Sequence, residues 1–269
     1  MKKKARVCLG ILVCLLLLTV DGFHHAKVYY FFANIAGKSW IASHLDERLR
    51  TCFPMDKRFW LHGCNSLKKL QTAGAKYAGV ELDIVYYAEN NTFGVSHDIE
   101  NVISLPLEKS IAYLAETDQM IWLDFKNLTE QNKTASRNCL NTLLHQYQIN
   151  KSRIVVESNT ASALEHYTED GFYTSYYCPI NDKNTFASVQ TKTAYIDHIR
   201  QVSQSKNIRA LSCAANYFSL VREAAPQMEL LTWERNDDKW WGFYLLPSLR
   251  AIRNDKNVKA ILVYDTIDE

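Results

Sequence analysis

Hydrophobic and polar positions alternate in blocks from about residue 58 to the end of the chain. Short apolar runs rich in β-branched and aromatic residues, which are typical of strands, recur eight times. They are RFWLHGC, YAGVELDIVYY, QMIWLDFKN, SRIVVES, GFYTSYYC, IRALSCAAN, MELLTWER and VKAILVYD. Helical periodicity marks LEKSIAYLAET, ASRNCLNTLLHQYQ, TAYIDHIRQVSQ and YFSLVREAAP between them. Eight strands that alternate with helices predict a parallel sheet closed into a (β/α)8 TIM barrel.

An open, doubly wound sheet is the alternative fold. It is disfavoured because no GxGxxG or GxxxxGK loop follows any of the eight runs. The pattern predicts three segments: a signal peptide or N-terminal anchor over 1–22, a lead-in over 23–55 packed on the outside or bottom of the barrel, and the barrel domain over 56–269.

The N-terminus predicts the compartment. A positively charged segment, MKKKAR, precedes an apolar run from Val7 to Val20. This order is typical of an export signal, and the run is short for a membrane span. We therefore expect an exported protein, periplasmic or extracellular, with membrane anchoring through the apolar segment as the alternative. Five cysteines remain outside the leader, and in an oxidising compartment Cys52 and Cys64 could form a disulfide, with free thiols as the alternative.

Composition narrows the function classes. The chain has 269 residues, 47% of them hydrophobic, which suffices for a sizeable core. Its formal net charge of +2 and the lack of a long basic run give no support to nucleic-acid binding. No Cys/His cluster has the spacing of a structural zinc site.

Polar side chains stand at the ends of the predicted strands. His62 ends the first run, Asp124 lies near the end of the third and Trp233 near the end of the seventh. Because the C-terminal ends of barrel strands build the active site, titratable residues arriving there from several strands predict an enzyme.

Two acids on the second strand point to a metal ion. Glu81 and Asp83 are two residues apart, so their side chains share one face of the strand. Like charges there repel unless a cation or a proton lies between them. Asp124 is expected at the same level on the next strand, and three carboxylates suit Mg²⁺, Ca²⁺ or Mn²⁺. The alternative is that the acids pair with a lysine, for which Lys126 is the obvious candidate.

Two histidines lie beside these acids. His62 and His97 flank the acidic strand ends, where imidazole can take a proton from a nucleophile and return one to a leaving group. Of the other histidines, His145, His166 and His198 lie in helical stretches and are interpreted as ordinary surface or core residues, and His24 and His25 flank the leader.

The motifs LHGCNS, GVELDI, SHD and WLDFK follow one another over residues 58–127. In this order they resemble the glycerophosphodiester phosphodiesterase superfamily of metal-dependent barrels. The H-x-x-N form at His62 and the L-D-x-K form ending at Lys126 resemble its sphingomyelinase D-like and menorin-like branches. The resemblance implies a divalent cation, Mg²⁺ or Ca²⁺, and the following roles: Glu81, Asp83 and Asp124 as metal ligands, His62 and His97 as the catalytic acid/base pair, and Asn65, Lys126 and Trp233 as substrate contacts.

The implied function is a metal-dependent phosphodiesterase that hydrolyses its substrate or forms a cyclic phosphate. Relatives that cleave glycerophosphodiesters usually follow the first histidine with arginine, a bidentate phosphate ligand, where this chain has Gly63. A lipid or polyol phosphodiester, such as a lysophospholipid, is therefore the expected substrate. The alternative is a non-catalytic, menorin-like barrel that acts as a binding protein.

The aromatic stretch DKWWGFY, residues 238–244, has two interpretations. It could rim a lipid headgroup site and touch a membrane peripherally, or it could cap the barrel core. A monomer is expected.

Overall fold

The computed structural model describes residues 52–73, 76–99, 103, 105–179, 189–205, 207–233, 240 and 242–264. The predicted leader over 1–22 and nearly all of the predicted lead-in over 23–55 lie outside the described residues.

The described residues contain nine strands in one sheet. Their bounds are β1 Phe59–Leu61, β2 Gly79–Tyr87, β3 Thr92–Val95, β4 Met120–Phe125, β5 Ile154–Ser158, β6 Tyr173–Tyr177, β7 Ala210–Ala214, β8 Glu229–Trp233 and β9 Val258–Val263. Eight of them pair in parallel in the order β1-β9-β8-β7-β6-β5-β4-β2, and β1 also pairs with β2, which closes the sheet. β3 is the exception and runs antiparallel to β2. The predicted TIM barrel is confirmed.

Helices follow the barrel strands. Their bounds are α1 Leu67–Ala73, α2 Leu107–Ala115, α3 Lys133–Gln146, α4 Ala161–Glu169, α5 Val189–Ser203, α6 Phe218–Ala224, α7 Gly242–Leu245 and α8 Pro247–Asn254. One face of α2 illustrates why they form: Leu107, Ile111 and Leu114 recur at helical spacing and are fully buried.

A layer of apolar side chains fills the barrel interior below the strand ends. It consists of Trp60, Trp122, Val155, Ala210, Leu231, Ala260 and Leu262. Gly79 is needed there, because a Cβ at that position would lie 2.5 Å from the Trp60 ring. This packed layer leaves the polar side chains of the same strands at the other end of the barrel.

The chain divides into two compact units, residues 55–240 with 252–269 and residues 1–54 with 241–251. The first contains the barrel. Within the second, the rings of Phe53 and Tyr244 stack with centroids 4.9 Å apart, and the Tyr244 hydroxyl donates to the carbonyl of Pro54.

The predicted localisation is wrong. Export, or anchoring through the N-terminal apolar segment, was expected from residues 1–22, which lie outside the described residues. A membrane-spanning helix needs about 20 predominantly apolar residues, and no helix of the described residues is long and apolar enough to cross a bilayer. The disulfide is not formed either, because all five described cysteines are free thiols, including Cys52 and Cys64.

The aromatic stretch after β8 places one of its tryptophans in the interior. Trp240 is 1% exposed, and its ring lies 6.4 Å from that of Phe59. This agrees with the core-capping interpretation for Trp240, whereas Trp241 lies outside the described residues.

We expect Trp240→Ala to lower the free energy of unfolding by about 3–5 kcal/mol, since it removes a large buried ring. Denaturant unfolding measures the loss, and Ile99→Ala is the control because Ile99 is 66% exposed. If Trp240→Ala unfolded like the parent but bound lipid vesicles more weakly, Trp240 would be a surface anchor instead.

Candidate active site

The strand register brings the predicted acids to one end of the barrel. Asp83 on β2 pairs with Asp124 on β4, and Asp124 pairs with Glu157 on β5. Glu81 precedes Asp83 by two residues and shares its face of β2. Between these acids, Leu82 faces the other way and is fully buried, so the alternation of the strand fixes which residues point inward.

Three carboxylates converge as a cation site requires. Each of Glu81, Asp83 and Asp124 offers an oxygen, and these oxygens lie within 4.8 Å of one another. Glu81 Oε2 accepts a hydrogen bond of 2.6 Å from the backbone N–H of Gly63. The other oxygen, Oε1, is buried and has no hydrogen-bond partner among the described residues. Hard oxygen donors with an unsatisfied buried acceptor fit a divalent cation.

Lys126 is bound to two of the same acids. Its Nζ lies 2.5 Å from Asp83 Oδ1 and 2.5 Å from Asp124 Oδ2. The lysine pairing that the sequence left open is thus present, and it leaves Glu81 without a lysine partner among the described residues. Burial lowers the pKa of Lys126, but the two aspartates outweigh it and raise that pKa above its usual range.

The pKa values of the three acids shift in different directions. Burial, reinforced by the charges of Asp83 and Asp124, raises the pKa of Glu81 well above its usual range. Burial also raises the pKa of Asp124, against the opposing effect of Lys126. At Asp83, burial acts in the same direction but is outweighed by Lys126 and by a hydrogen bond from Asn65, so the pKa falls. Such opposed shifts among neighbouring carboxylates are common at functional sites.

Asn65 holds Asp83 in place. Its Nδ2 donates to Asp83 Oδ2 at 2.5 Å, and its Oδ1 accepts from the backbone N–H of Asp83 at 3.0 Å. Both ends of the carboxamide therefore contact one residue. The predicted substrate contact of Asn65 stays a prediction.

His62 lies beside the acid cluster. Its Nε2 is 3.9 Å from Glu81 Oε2, and its ring centroid is 4.6 Å from that of Tyr264. Burial is the main reason that the pKa of His62 falls to about 4; Lys69 and Lys126 lower it further, against the charge of Asp83. This imidazole is therefore neutral at pH 7.

His97 lies in the loop after β3, at the rim of the site. Its side chain is 74% exposed, and its Nδ1 is 3.1 Å from Asp98 Oδ1. The backbone N–H of Ser96, the residue before it, donates to the backbone carbonyl of Asp83 at 3.0 Å, so His97 lies beside the acids.

An aromatic wall and a cavity complete this end of the barrel. Trp233 at the end of β8 stacks on Tyr177 at the end of β6, with ring centroids 5.5 Å apart and planes 12° apart. A cavity of about 240 Å³ is lined by Asp124, Phe125, Lys126, Ser158, Asn159 and Tyr177. A larger cavity, of about 470 Å³, lies between β3, α2 and α3, and none of its lining residues belongs to the acid cluster.

Sequence reasoning missed Tyr177 and Tyr264 as parts of this site. Both stand at the ends of barrel strands, so the strand-end rule that selected His62 could have found them. They were overlooked because tyrosine is also an ordinary strand residue.

Glu157 is a fourth carboxylate next to the cluster. It is 2% exposed, and burial together with the charge of Asp124 raises its pKa well above the usual range. The guanidinium of Arg153, which directly precedes β5, donates to the backbone carbonyls of Leu114 and Gln119.

A raised carboxyl pKa stabilises the fold at low pH, and this contribution is lost as pH rises through the folded-state value. We therefore expect Glu157→Gln, compared with the parent in chelator, to become relatively more stable as pH rises from 5 to 8. The gain should reach at most about 1.4 kcal/mol per pH unit. Denaturant unfolding at several pH values measures it. Glu116→Gln is the exposed control, and equal pH dependence in both variants would contradict the assignment.

Comparisons with known proteins give the fold a context. No family model matches the chain, and no curated protein matches it. Among solved structures, a glycerophosphodiester phosphodiesterase from Parabacteroides distasonis is similar at 14% identity and a TM-score of 0.53, over 77% of this chain and 92% of the other. An Oleispira antarctica phosphodiesterase, solved in complex with the product sn-glycerol-3-phosphate, is similar at 13% identity and a TM-score of 0.50, over 77% and 92%.

At this identity the likeness concerns the fold. The chain has the barrel fold of these phosphodiesterases, which agrees with the resemblance read from its motifs.

Proposed function

We propose that the acid cluster and its two histidines form the active site of a divalent-cation-dependent phosphodiesterase. The observation that carries the proposal is the convergence of Glu81, Asp83 and Asp124 within 4.8 Å, beside His62. A binding module has no evident use for buried like charges around an imidazole. The menorin-like, non-catalytic alternative gains no support from the structural comparisons.

The three carboxylates would hold the cation, Mg²⁺ or Ca²⁺. When bound, such an ion neutralises the negative charge that grows on a phosphodiester in the transition state. Asn65 fixes the rotamer of Asp83, so the oxygen donors are oriented before a ligand arrives. Preorganisation of this kind reduces the free energy that binding would otherwise spend on ordering the site.

Lys126 would add positive charge to the site beside the cation. Its ammonium group bridges Asp83 and Asp124. In the loaded enzyme we propose that it keeps contact with Asp124 and offers its remaining N–H groups to a phosphate oxygen, since an ammonium group has three donors.

His62 and His97 would move the protons. One takes a proton from water or from a hydroxyl of the substrate, and the other protonates the departing alkoxide. His62 is held against Tyr264, whereas His97 is exposed on its loop, so substrate must draw His97 toward the reacting group. Attack by water yields hydrolysis, and attack by an internal hydroxyl yields a cyclic phosphate.

Trp233 would line the leaving-group side through the wall that it forms with Tyr177. An aromatic wall suits a polyol or lipid headgroup, because C–H groups pack well on ring faces. A phosphodiester with such a headgroup is the proposed substrate. The burial of Trp240 removes one argument for a membrane-facing rim, so lipid aggregates are not required.

Product analysis by ³¹P NMR tests this function. The protein is incubated with Mg²⁺ or Ca²⁺ and either a glycerophosphodiester or a lysophospholipid. We expect the diester resonance to be replaced by that of a monoester or a cyclic phosphate. The absence of any new resonance with both substrates and both cations would contradict the proposal.

A further inference from the structure

Gly63, directly after His62, has a positive φ of 62°, a backbone conformation that favours glycine. The ammonium nitrogen of Lys69 lies 3.7 Å from the position that a Cβ on Gly63 would occupy. Lys69 therefore brings a positive charge to the loop that carries His62, although it belongs to α1 and not to a strand end.

This charge is close enough to act on the site. Lys69 is one of the groups that lower the pKa of His62. Its side chain is half-buried, and no carboxylate among the described residues forms an ion pair with it. Because the ammonium group of Lys69 lies near the barrel mouth and has no carboxylate partner among the described residues, it is available to bind an incoming anion.

The position of Lys69 is unfavourable for the helix itself. Ser66 caps α1, and its hydroxyl accepts from the backbone N–H of Lys69, so Lys69 lies in the first turn. The helix dipole disfavours cations there, and α1 has no acidic residue in its first turn to offset the effect. A residue that opposes the electrostatic preference of its helix, with no compensating gain in stability, is expected at functional positions.

The charge balance of the site with substrate bound explains the position of Lys69. In the proposed loaded site, a divalent cation together with Lys126 would neutralise the three carboxylates. A phosphodiester adds one more negative charge, which nothing in that set compensates. In a partly buried site an uncompensated charge is costly.

We propose that Lys69 is a second phosphate-binding cation of the site and holds a non-bridging oxygen of the substrate over Gly63. This inference rests on the proposed function and deepens it. Relatives that cleave glycerophosphodiesters usually have an arginine where this chain has Gly63, and Lys69 would supply the anion ligand that this arginine provides. Small, highly charged phosphodiesters are then substrates as suitable as lipid ones.

The test compares Lys69→Gln with Lys68→Gln. Lys68 is in the same helix turn and carries the same charge, but it is exposed. Inorganic phosphate is titrated into each protein in saturating Mg²⁺ and followed by calorimetry. Lys69→Arg serves as the rescue variant, and Mg²⁺ affinity is measured separately in each protein.

We expect Lys69→Gln to bind phosphate about 10- to 100-fold more weakly, the loss of a charge-assisted hydrogen bond. Lys68→Gln should stay within about 3-fold of the parent, as for a screened surface charge, and Lys69→Arg should recover most of the affinity. Mg²⁺ affinity and the unfolding midpoint should be unchanged in all three variants. In kinetics, the Lys69→Gln defect should fall mainly on KM for bis(4-nitrophenyl) phosphate.

Phosphate binding by Lys69→Gln equal to that of Lys68→Gln would overturn the inference, as would a parent that binds no phosphate in Mg²⁺. If the parent turns over diesters while Lys69→Gln behaves like Lys68→Gln, only the role of Lys69 fails. A parent that turns over no diester contradicts the proposed function itself.

Discussion

His62→Asn is expected to lower kcat for a soluble phosphodiester by about 10²- to 10⁴-fold, the usual contribution of a positioned acid or base. Asparagine keeps a polar side chain of similar reach but cannot exchange a proton near neutral pH. Because His62 is not one of the three converging oxygen ligands, Mg²⁺ affinity should change little. Steady-state kinetics with bis(4-nitrophenyl) phosphate, together with calorimetric Mg²⁺ titration, separates the two effects.

The matched control is His145→Asn. His145 is exposed on the outer face of α3, so this variant should keep the parental kcat. A His62→Asn protein that retains parental kcat would remove His62 from the chemistry. A protein that loses Mg²⁺ binding as well would identify His62 as part of the cation site.

Asp83→Asn is expected to weaken Mg²⁺ or Mn²⁺ binding by more than about 100-fold. Loss of an outer-shell partner already costs about 10- to 100-fold in metal affinity, and Asp83 is an inner ligand in this account. The amide removes the negative charge and turns one oxygen into a donor group. It also disturbs the pairing with Lys126, so some loss of stability in the metal-free protein is expected.

Asp98→Asn removes the same charge from the rim of the site without touching the cluster. Its side chain is 82% exposed and contacts His97. Calorimetry, or the Mn²⁺ electron paramagnetic resonance signal, should give a near-parental affinity for this control. If Asp83→Asn bound the ion as well as Asp98→Asn, the acids would exist only to hold Lys126.

The barrel could be predicted because its strands are buried on both faces and its helices are amphipathic. Each of the eight apolar runs became a parallel strand, for example SRIVVES as β5 and VKAILVYD as β9. The short elements were missed. α1 has only seven residues, and β3 is a four-residue strand that forms only by antiparallel pairing with β2. Periodicity over so few residues carries little information.

The acid cluster could also be predicted, since alternation along β2 places Glu81 and Asp83 on one face and parallel register places Asp124 beside them. The double pairing of Lys126 was foreseen only as an alternative to the cation site. Lys69 could not be found, because its proximity to Gly63 depends on how α1 packs and not on strand order. An apolar leader pattern indicates a targeting signal and contains no information on the fold. The predicted localisation therefore had no structural feature that could support it.

The metal dependence of phosphodiester turnover by the parent protein tests directly whether the acid cluster belongs to a cation-dependent phosphodiesterase. Bound ions are removed with chelator, and the rate of bis(4-nitrophenyl) phosphate cleavage is followed as Mg²⁺ or Ca²⁺ is added back at constant ionic strength. We expect no turnover in chelator and a saturable recovery with a divalent cation but not with Na⁺ or K⁺. Full turnover in chelator, or none with any divalent cation, would contradict this expectation.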